Sequence, residues 1–254
     1  MSEYLVSERI GKSNVNTYGT LMTIIEYKNK DNIKVKFEDG FIKNSNYTNF
    51  ISGKIKSVFN KSVYGVGFIG TGMYKESIYN ETTAQYKAWK SMMKRCYSDN
   101  FHEQRPTYID CSVCEEWHNF QNFAKWYDDN FYQIDNEKMC LDKDILIKGN
   151  KIYSPDTCVF VPNTINTLFI KNNNGRGILP IGVNYQKDKG KYRSYCLVKS
   201  KQKFLGRFDN PQLAFIAYKN FKEKHIKSIA DEYKNKIPQN LYDAMYKYEI
   251  EITD

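Results

Sequence analysis

Residues 141–166 have the sequence LDKDILIKGNKIYSPDTCVFVPNTIN, and this stretch decides the fold expected for the middle of the chain. Residues 141–146 alternate between apolar and charged side chains, which predicts a half-buried strand. Gly149-Asn150 is a turn signal. Two short apolar runs and a short helix complete the pattern, at residues 152–153, 158–161 and 163–169. The predicted order is therefore strand, turn, strand and helix.

Oxygen-bearing side chains mark both ends of this stretch. On an alternating strand, Asp142 and Asp144 face the same side, and Asn166 lies on the predicted helix. A hard divalent cation takes oxygen ligands, and two adjacent elements that supply them make a small metal-dependent nuclease site. The alternative for the two aspartates is a solvated strand end.

The same stretch resembles the HNH (ββα-metal) motif of phage and homing endonucleases. Asp142-Lys143 stands at the family's Asp-His position, residues 153–158 match its middle segment, and Asn166 matches its helical Asn or His. The family's first His, the usual general base, is replaced by Lys143, and its central Asn by Thr157 or Cys158. The short segments at residues 95–97, 113–117 and 120–123 resemble the sequence that precedes this motif in phage HNH proteins. With them, the resemblance covers about residues 84–170.

This resemblance implies a set of roles. Mg²⁺ or a similar divalent cation would be bound by Asp142 or Asp144 and by Asn166, and Tyr153 would position the scissile phosphate. A lysine acts as a base only if its pKa is strongly lowered, so His118 is a second candidate for that role, with a surface or capping role as its alternative. The candidate catalytic residues are thus Asp142, Lys143, Asp144, Tyr153, Asn166 and His118.

The six cysteines predict free thiols or a metal site, because no secretory signal precedes them. Cys111-Ser-Val-Cys114 is a C-x2-C pair, and two more thiols nearby would complete a tetrahedral zinc site. The candidate ligands of a structural Zn²⁺ are Cys96, Cys111, Cys114 and Cys158. The alternative is that these thiols are small buried apolar side chains.

Positive charge is concentrated near the C-terminus. Residues 179–236 contain 14 basic and 5 acidic residues, a net +9 equal to that of the whole chain, whereas residues 81–172 have a net −2. A basic module beside a slightly acidic one suggests a nucleic-acid-binding arm joined to a metal-using site. The alternative is a solvated basic surface that maintains solubility.

Residues 181–234 contain two predicted strands, at 191–198 and 201–208, followed by a helix that Asn210 caps and Pro211 begins. Leu213, Ala214, Ala217 and Phe221 are expected to face the sheet. The stretch resembles the APETALA2-type DNA-binding domain, whose three-stranded sheet lies in the major groove. By that resemblance Arg193 and Arg207 are candidates for contacts with base edges or phosphates. The candidates for backbone contacts are Tyr185, Lys187, Lys191, Tyr195, Lys199, Lys201 and Lys203.

The pattern of residues 1–60 predicts a small antiparallel β module that residues 50–55 could close into a barrel. Its aromatic residues either stack nucleobases or form the module's core; they are Tyr27, Phe37, Phe41 and Tyr47. Helical spacing in residues 82–97 and 117–126 predicts two helices with aromatic core faces.

The predicted fold class is α+β with several domains. The expected parts are a β-barrel-like module at 1–60, a Gly/Tyr-rich connector at 61–80, an HNH-like domain at 81–172, a linker at 173–178, an APETALA2-like domain at 179–236 and a tail at 237–254. The predicted function is a phage-type endonuclease that cleaves or nicks double-stranded DNA. The alternatives are a catalytically degenerate DNA-binding protein and an inhibitor or scaffold acting on a host protein. The lack of a signal peptide or long apolar run predicts a cytoplasmic protein of the phage-infected cell that has no membrane partner.

Overall fold

The computed structural model describes residues 8–170, 177–199 and 201–254, and it confirms the α+β class: helices alternate with several small, mostly antiparallel sheets. The chain divides into two compact units. One comprises the residues up to Phe131 together with Lys151–Pro155, and the other comprises Tyr132–Asn150 together with residues from Asp156 onward. Within the described ranges, no helix combines the length and apolar character needed to cross a membrane.

The first unit begins with a four-stranded antiparallel sheet. Its strands are β1 Ser13–Val15, β2 Leu21–Asn29, β3 Asn32–Phe37 and β4 Ile42–Ser45, in that spatial order. Tyr27 and Phe37 are buried in its core, and Phe41 and Tyr47 pack against that core, so the core interpretation of these aromatics is confirmed. The expected closing strand at 50–55 is wrong, because helix α1 (Tyr47–Ile51) covers the sheet there, capped by the Asn46 side chain.

The glycine-rich connector lies against the helices that follow it. It contains the hairpin β5 (Ser77–Ile78) and β6 (Glu81–Thr82). Phe68 donates its N–H to the carbonyl of His118 and accepts the N–H of Phe120, both at 2.9 Å. A Cβ on Gly67 would lie 2.8 Å from the Trp89 ring, so only glycine allows this close approach.

Two helices form the aromatic core of the first unit and confirm the predicted spacing. Helix α2 is Ala84–Tyr97 and α4 is Phe120–Asn130; between them lie α3 (Asp99–Gln104), 3₁₀ turns at Pro106–Tyr108 and Glu115–His118, and β7 (Ser112–Val113). Thr83 caps α2 by accepting the N–H of Tyr86. Trp89 is fully buried, and its indole N–H donates to the carbonyl of Trp117 at 2.7 Å.

Residues 141–166 fold partly as expected. Strand β8 is Met139–Asp142 and pairs antiparallel with β10 (Val159–Pro162), which leads directly into α5 (Asn163–Asn166). Strand β9 (Ile152–Tyr153) pairs instead with β7, in parallel. The prediction of a strand over 141–146 is wrong beyond Asp142, whose carboxylate accepts the N–H groups of residues 144 and 145 and so turns the chain.

The second unit ends with a sheet covered by a long helix. The strands are β11 Val183–Gln186, β12 Lys191–Val198 and β13 Lys201–Phe208, and the helices are α6 Pro211–Tyr233 and α7 Gln239–Lys247. The boundaries predicted for the last two strands are confirmed, as is the Asn210 cap, which accepts the N–H of Leu213. Leu213 itself was expected to face the sheet but is exposed; the buried stripe of α6 follows Ala214, Phe215, Tyr218, Lys222, Ile226, Ile229 and Ala230.

One hydrophobic core runs through the second unit. Val159, Val161 and Ile165 belong to the same cluster of buried residues as Val183 and Ile226. Residues 173–176 of the expected linker lie outside the described residues. Segments on both sides of that linker share a core, so DNA binding is to be measured with the full chain.

Candidate carboxylate site and nucleic-acid interface

Asp142 is the last residue of β8 and the centre of the candidate catalytic site. Its Oδ1 accepts the N–H of Asp144 at 2.9 Å and that of Ile145 at 2.8 Å. Burial, followed by the charge of Asp144, raises the pKa of Asp142 to about 6. A carboxyl that titrates near neutrality can exchange protons at physiological pH.

Lys143, at the position of the resemblance's first His, points into its own loop. Its side chain is buried, and Nζ lies 2.9 Å from the carbonyl oxygen of Asn150 and 3.3 Å from Oδ2 of Asp144. The Asn150 amide donates back to the carbonyl of Lys143 at 2.6 Å. These contacts close the loop over residues 143–150 and favour a structural role for Lys143.

Asn166 ends the four-residue helix α5. Since β8 and β10 are antiparallel, α5 starts beside Met139, at the other end of β8 from Asp142. Buried Ile165 fixes the helix in the core, and Asn166 is half-buried. No hydrogen bond within the described ranges joins Asn166 to either aspartate.

Tyr153 and His118 belong to the first unit. Tyr153 is buried; its hydroxyl lies 3.4 Å from Nη1 of Arg95, and burial raises its pKa well above the usual range. His118 has Nε2 3.1 Å from the carbonyl oxygen of Val113 and 3.4 Å from the hydroxyl of Tyr97. Both side chains thus have partners within their own unit.

The cation implied by the resemblance would need oxygen ligands at the end of β8. Asp142 and Asp144 supply carboxylate oxygens two residues apart, and Mg²⁺ is commonly bound through one or two carboxylates together with water and substrate phosphate. The residues therefore fit such a cation in chemical type. In the part of the chain that the structure describes, no three His, Cys, Asp or Glu side chains come together as a metal site.

Tyr248 was missed by sequence reasoning. Burial raises its pKa most, and the negative charges of Asp254, Asp144, Glu251 and Asp142 raise it further. It therefore lies in the electrostatic neighbourhood of the two aspartates, although the chain around it gave no sign of a site. Tyr248 is separated from the two aspartates by about a hundred residues of sequence, so no local sequence pattern could reveal that it lies near them.

The raised pKa of Asp142 predicts how the stability of the protein depends on pH. Folding raises the pKa of Asp142 from 3.8 to about 6, so the folded state favours the protonated carboxyl. The protonated carboxyl therefore contributes its full stabilisation below pH about 4, and this contribution is lost as pH rises to about 6. Asp142→Asn, which keeps the turn-forming oxygen, is expected to raise the free energy of unfolding by about 1–3 kcal/mol at pH 7. Urea unfolding in EDTA at pH 4 and pH 7 measures this; a difference from wild type that does not change with pH contradicts it.

The six cysteines all lie in the described residues, and none of them forms a disulfide there. Cys96 and Cys111 are buried in the first unit, Cys114 is half-buried there, and Cys158 belongs to the second unit. Burial raises the pKa of Cys114. The burial of Cys96, Cys111 and Cys158 is what the packing alternative expects.

The packing alternative predicts that protein purified without chelator contains well under one zinc per chain. EDTA should then leave its melting temperature unchanged, because no metal contributes to folding. Elemental analysis and thermal melts with and without EDTA provide the measurement. Stoichiometric zinc, with melting lowered by EDTA, would restore the zinc prediction for these cysteines.

The sheet of the second unit has one face against α6 and one open face. Buried Ser194 and Cys196 point to the helix, so the alternating positions Arg193 and Tyr195 point outward. Arg193 is directly opposite Arg207. Candidates on the open face are Lys191, which forms an ion pair with Asp209, and Arg193, Tyr195 and Arg207.

The other residues that the sequence predicts to contact DNA do not lie on the open face of the sheet. Lys203 is opposite Cys196 and places its ammonium 4.7 Å from the Phe221 ring centroid, on the helix side. Lys201 has the same orientation by register, and Tyr185 is opposite Tyr192, which packs on the core. Lys187 and Lys199 lie in turns at the edges of the sheet.

Phe204 on the open face was also missed. It is 47% exposed, and the guanidinium carbons of Arg193 and Arg207 lie 5.6 and 5.0 Å from its ring centroid. Gln202 accepts a hydrogen bond from Arg193 at 3.3 Å, and Gln186 accepts one from Nε of Arg207 at 2.9 Å. The sequence signal that could have identified Phe204 is an apolar residue at a strand position whose side chain faces outward.

The chain was compared with protein-family models, curated proteins and solved structures. None of the three comparisons gives a match. The function is therefore argued from the geometry of the two regions described above.

Proposed function

We propose that this protein binds double-stranded DNA through the open face of the sheet formed by β11, β12 and β13. The observation that carries the proposal is the group formed by Phe204 and the two guanidinium groups on either side of it. The group is exposed to solvent and lies in the segment that holds a net charge of +9. A face of this kind presents both cationic donors and an apolar surface to a ligand.

The placement of the two arginines supports an anionic partner. Like charges directly opposite each other on a sheet are destabilising, and this cost is offset when a ligand supplies negative charge. The two glutamines each accept a hydrogen bond from one guanidinium and thereby orient it. An oriented guanidinium can donate two hydrogen bonds to O6 and N7 of guanine or to one phosphate.

The hairpin formed by β12 and β13 supports duplex DNA as the ligand. The major groove is about 12 Å wide and admits a two-stranded β-ribbon, which is the form of the β12–β13 hairpin. Lys187 and Lys199 lie in the turns before and after β12, and in this proposal they would contact phosphates on either side of the groove.

Cleavage of a phosphodiester is the second candidate function. The observation that favours it is the pair Asp142 and Asp144 at the end of β8, with the pKa of Asp142 raised to about 6. A divalent cation bound there would stabilise charge on the phosphate and the leaving oxygen. The chain's own contribution is the pair of carboxylates that would hold such a cation, while Lys143 holds the loop. The alternatives that remain are a DNA-binding protein without cleavage and an inhibitor or scaffold for a host protein.

A binding and cleavage assay with the full chain tests both functions. Duplex binding measured over a range of salt concentrations should weaken steeply, with about 0.9 units of log–log slope per phosphate contacted. Plasmid incubated with Mg²⁺ or Mn²⁺ should be nicked or cut, and EDTA should prevent this. Binding with no cleavage under either metal leaves the DNA-binding proposal and removes the nuclease; absence of salt-dependent binding removes both.

A further inference from the structure

Residues 249–254, EIEITD, form an acidic segment with three carboxylates and no basic residue. The N–H of Ile250 donates to Oε1 of Glu223, and its carbonyl accepts from Nζ of Lys219, both at 2.8 Å. Ile250 and Asp254 are buried, and Oδ2 of Asp254 accepts the N–H of Glu251 at 3.0 Å. The segment has no regular secondary structure, yet it is held against α6 in a defined position.

The acidic segment surrounds one ammonium group, that of Lys148. Nζ of Lys148 lies 2.9 Å from the carbonyl oxygen of Glu249, 3.0 Å from Oδ2 of Asp254 and 3.6 Å from Oε2 of Glu251. An ammonium has three N–H donors; Glu249 and Asp254 accept hydrogen bonds from two of them, and Glu251 adds an ion pair at longer range. The Tyr248 ring centroid lies 5.3 Å from the same nitrogen.

Lys148 lies six residues after Asp142, in the loop at residues 143–150, and Tyr248 connects it with the aspartates, because the charges of Asp142 and Asp144 act on the tyrosine whose ring Lys148 approaches. The other lysine of this loop, Lys143, donates to groups of the loop itself. The side chain of Lys148 remains 29% exposed. A phosphodiester that approaches Asp142 and Asp144 is repelled by two carboxylates, and a cation in the same loop would offset that repulsion.

We propose that Lys148 is a binding residue for a DNA backbone phosphate beside Asp142, and that the acidic segment occupies it in the free protein as a built-in competitor. Carboxylate and phosphodiester oxygens both accept charge-assisted hydrogen bonds from an ammonium. The pair with exposed Glu251 contributes only about 0–1 kcal/mol. The Asp254 carboxylate is buried, so the larger cost of turning Lys148 toward a DNA strand is the loss of this second ion pair, while buried Ile250 keeps the segment in place. The inference rests on the proposed DNA binding.

The test uses the full chain with Glu251→Gln and Asp254→Asn combined. Both replacements keep an oxygen acceptor, so the turn between residues 251 and 254 persists while its charge is lost. Duplex affinity is expected to rise about 3- to 10-fold, and the salt slope should steepen by about one phosphate contact. Adding Lys148→Ala to this variant should remove the gain, because the two changes act on one contact.

The matched control is Glu232→Gln combined with Asp243→Asn, which removes two charges from helices of the same unit. Equal affinity gains in the control and the test variant, or a gain that survives Lys148→Ala, would overturn the inference while leaving DNA binding intact. If neither wild type nor variants bind DNA, both the proposed function and this inference fail. Glu251→Gln alone, at a side chain 61% exposed, repeats the test with no burden on folding.

Discussion

Replacing Arg193 or Arg207 by alanine is expected to weaken duplex binding by about 1–3 kcal/mol each, or roughly 5- to 150-fold, if the guanidinium reaches a base edge. The two side chains share the Phe204 ring. Their effects should therefore deviate from additivity in the double variant. Fluorescence anisotropy with labelled duplex at fixed salt measures the change.

Lys227→Ala is the matched control for these substitutions. Lys227 lies on α6 and is exposed, and the loss of its charge leaves the open face unchanged. Its effect should stay within about twofold, because a single distant charge contributes little at physiological salt. If Arg193→Ala and Lys227→Ala weaken binding equally, general charge and not the open face accounts for the affinity, and the interface proposal fails.

Asp142→Asn is expected to abolish metal-dependent cleavage, with a loss of at least about 100-fold, while duplex affinity stays within about twofold. The asparagine oxygen can still accept the N–H groups of residues 144 and 145, so the loop should keep its shape. The separation between rate and affinity follows because the open face of the sheet supplies the binding. Plasmid nicking under single-turnover conditions gives the rate.

Asp135→Asn is the control for Asp142→Asn, since it makes the same chemical change at an exposed site where asparagine tolerates the backbone φ of +42°. Asn166→Ala is expected to leave the cleavage rate within about twofold of wild type, because Asn166 lies at the other end of β8 from Asp142. Lys143→His examines whether the base of the HNH resemblance can be restored. Cleavage by Asp142→Asn at the wild-type rate would exclude the carboxylate site from the reaction.

Local sequence patterns determined the elements of this protein. Alternation of side chains and a polar turn gave strands at 191–198 and 201–208, and Asn210 with Pro211 marked the start of α6. Helical spacing identified the buried face of α2 around Trp89. These signals act over a few residues and depend on the chain's own geometry, so they can be inferred without knowing what the element packs against.

The tertiary structure decided what these elements do together. Strand β8 ends at Asp142 because that side chain accepts two backbone N–H groups, an outcome that alternation alone could not reveal. The orientation of Lys143 depends on Asn150, and the positions of Tyr248 and the acidic segment beside the aspartate loop depend on contacts across about a hundred residues. Contacts between residues so far apart in the sequence produce no periodic pattern of side chains, because they depend on how the helices and strands pack together.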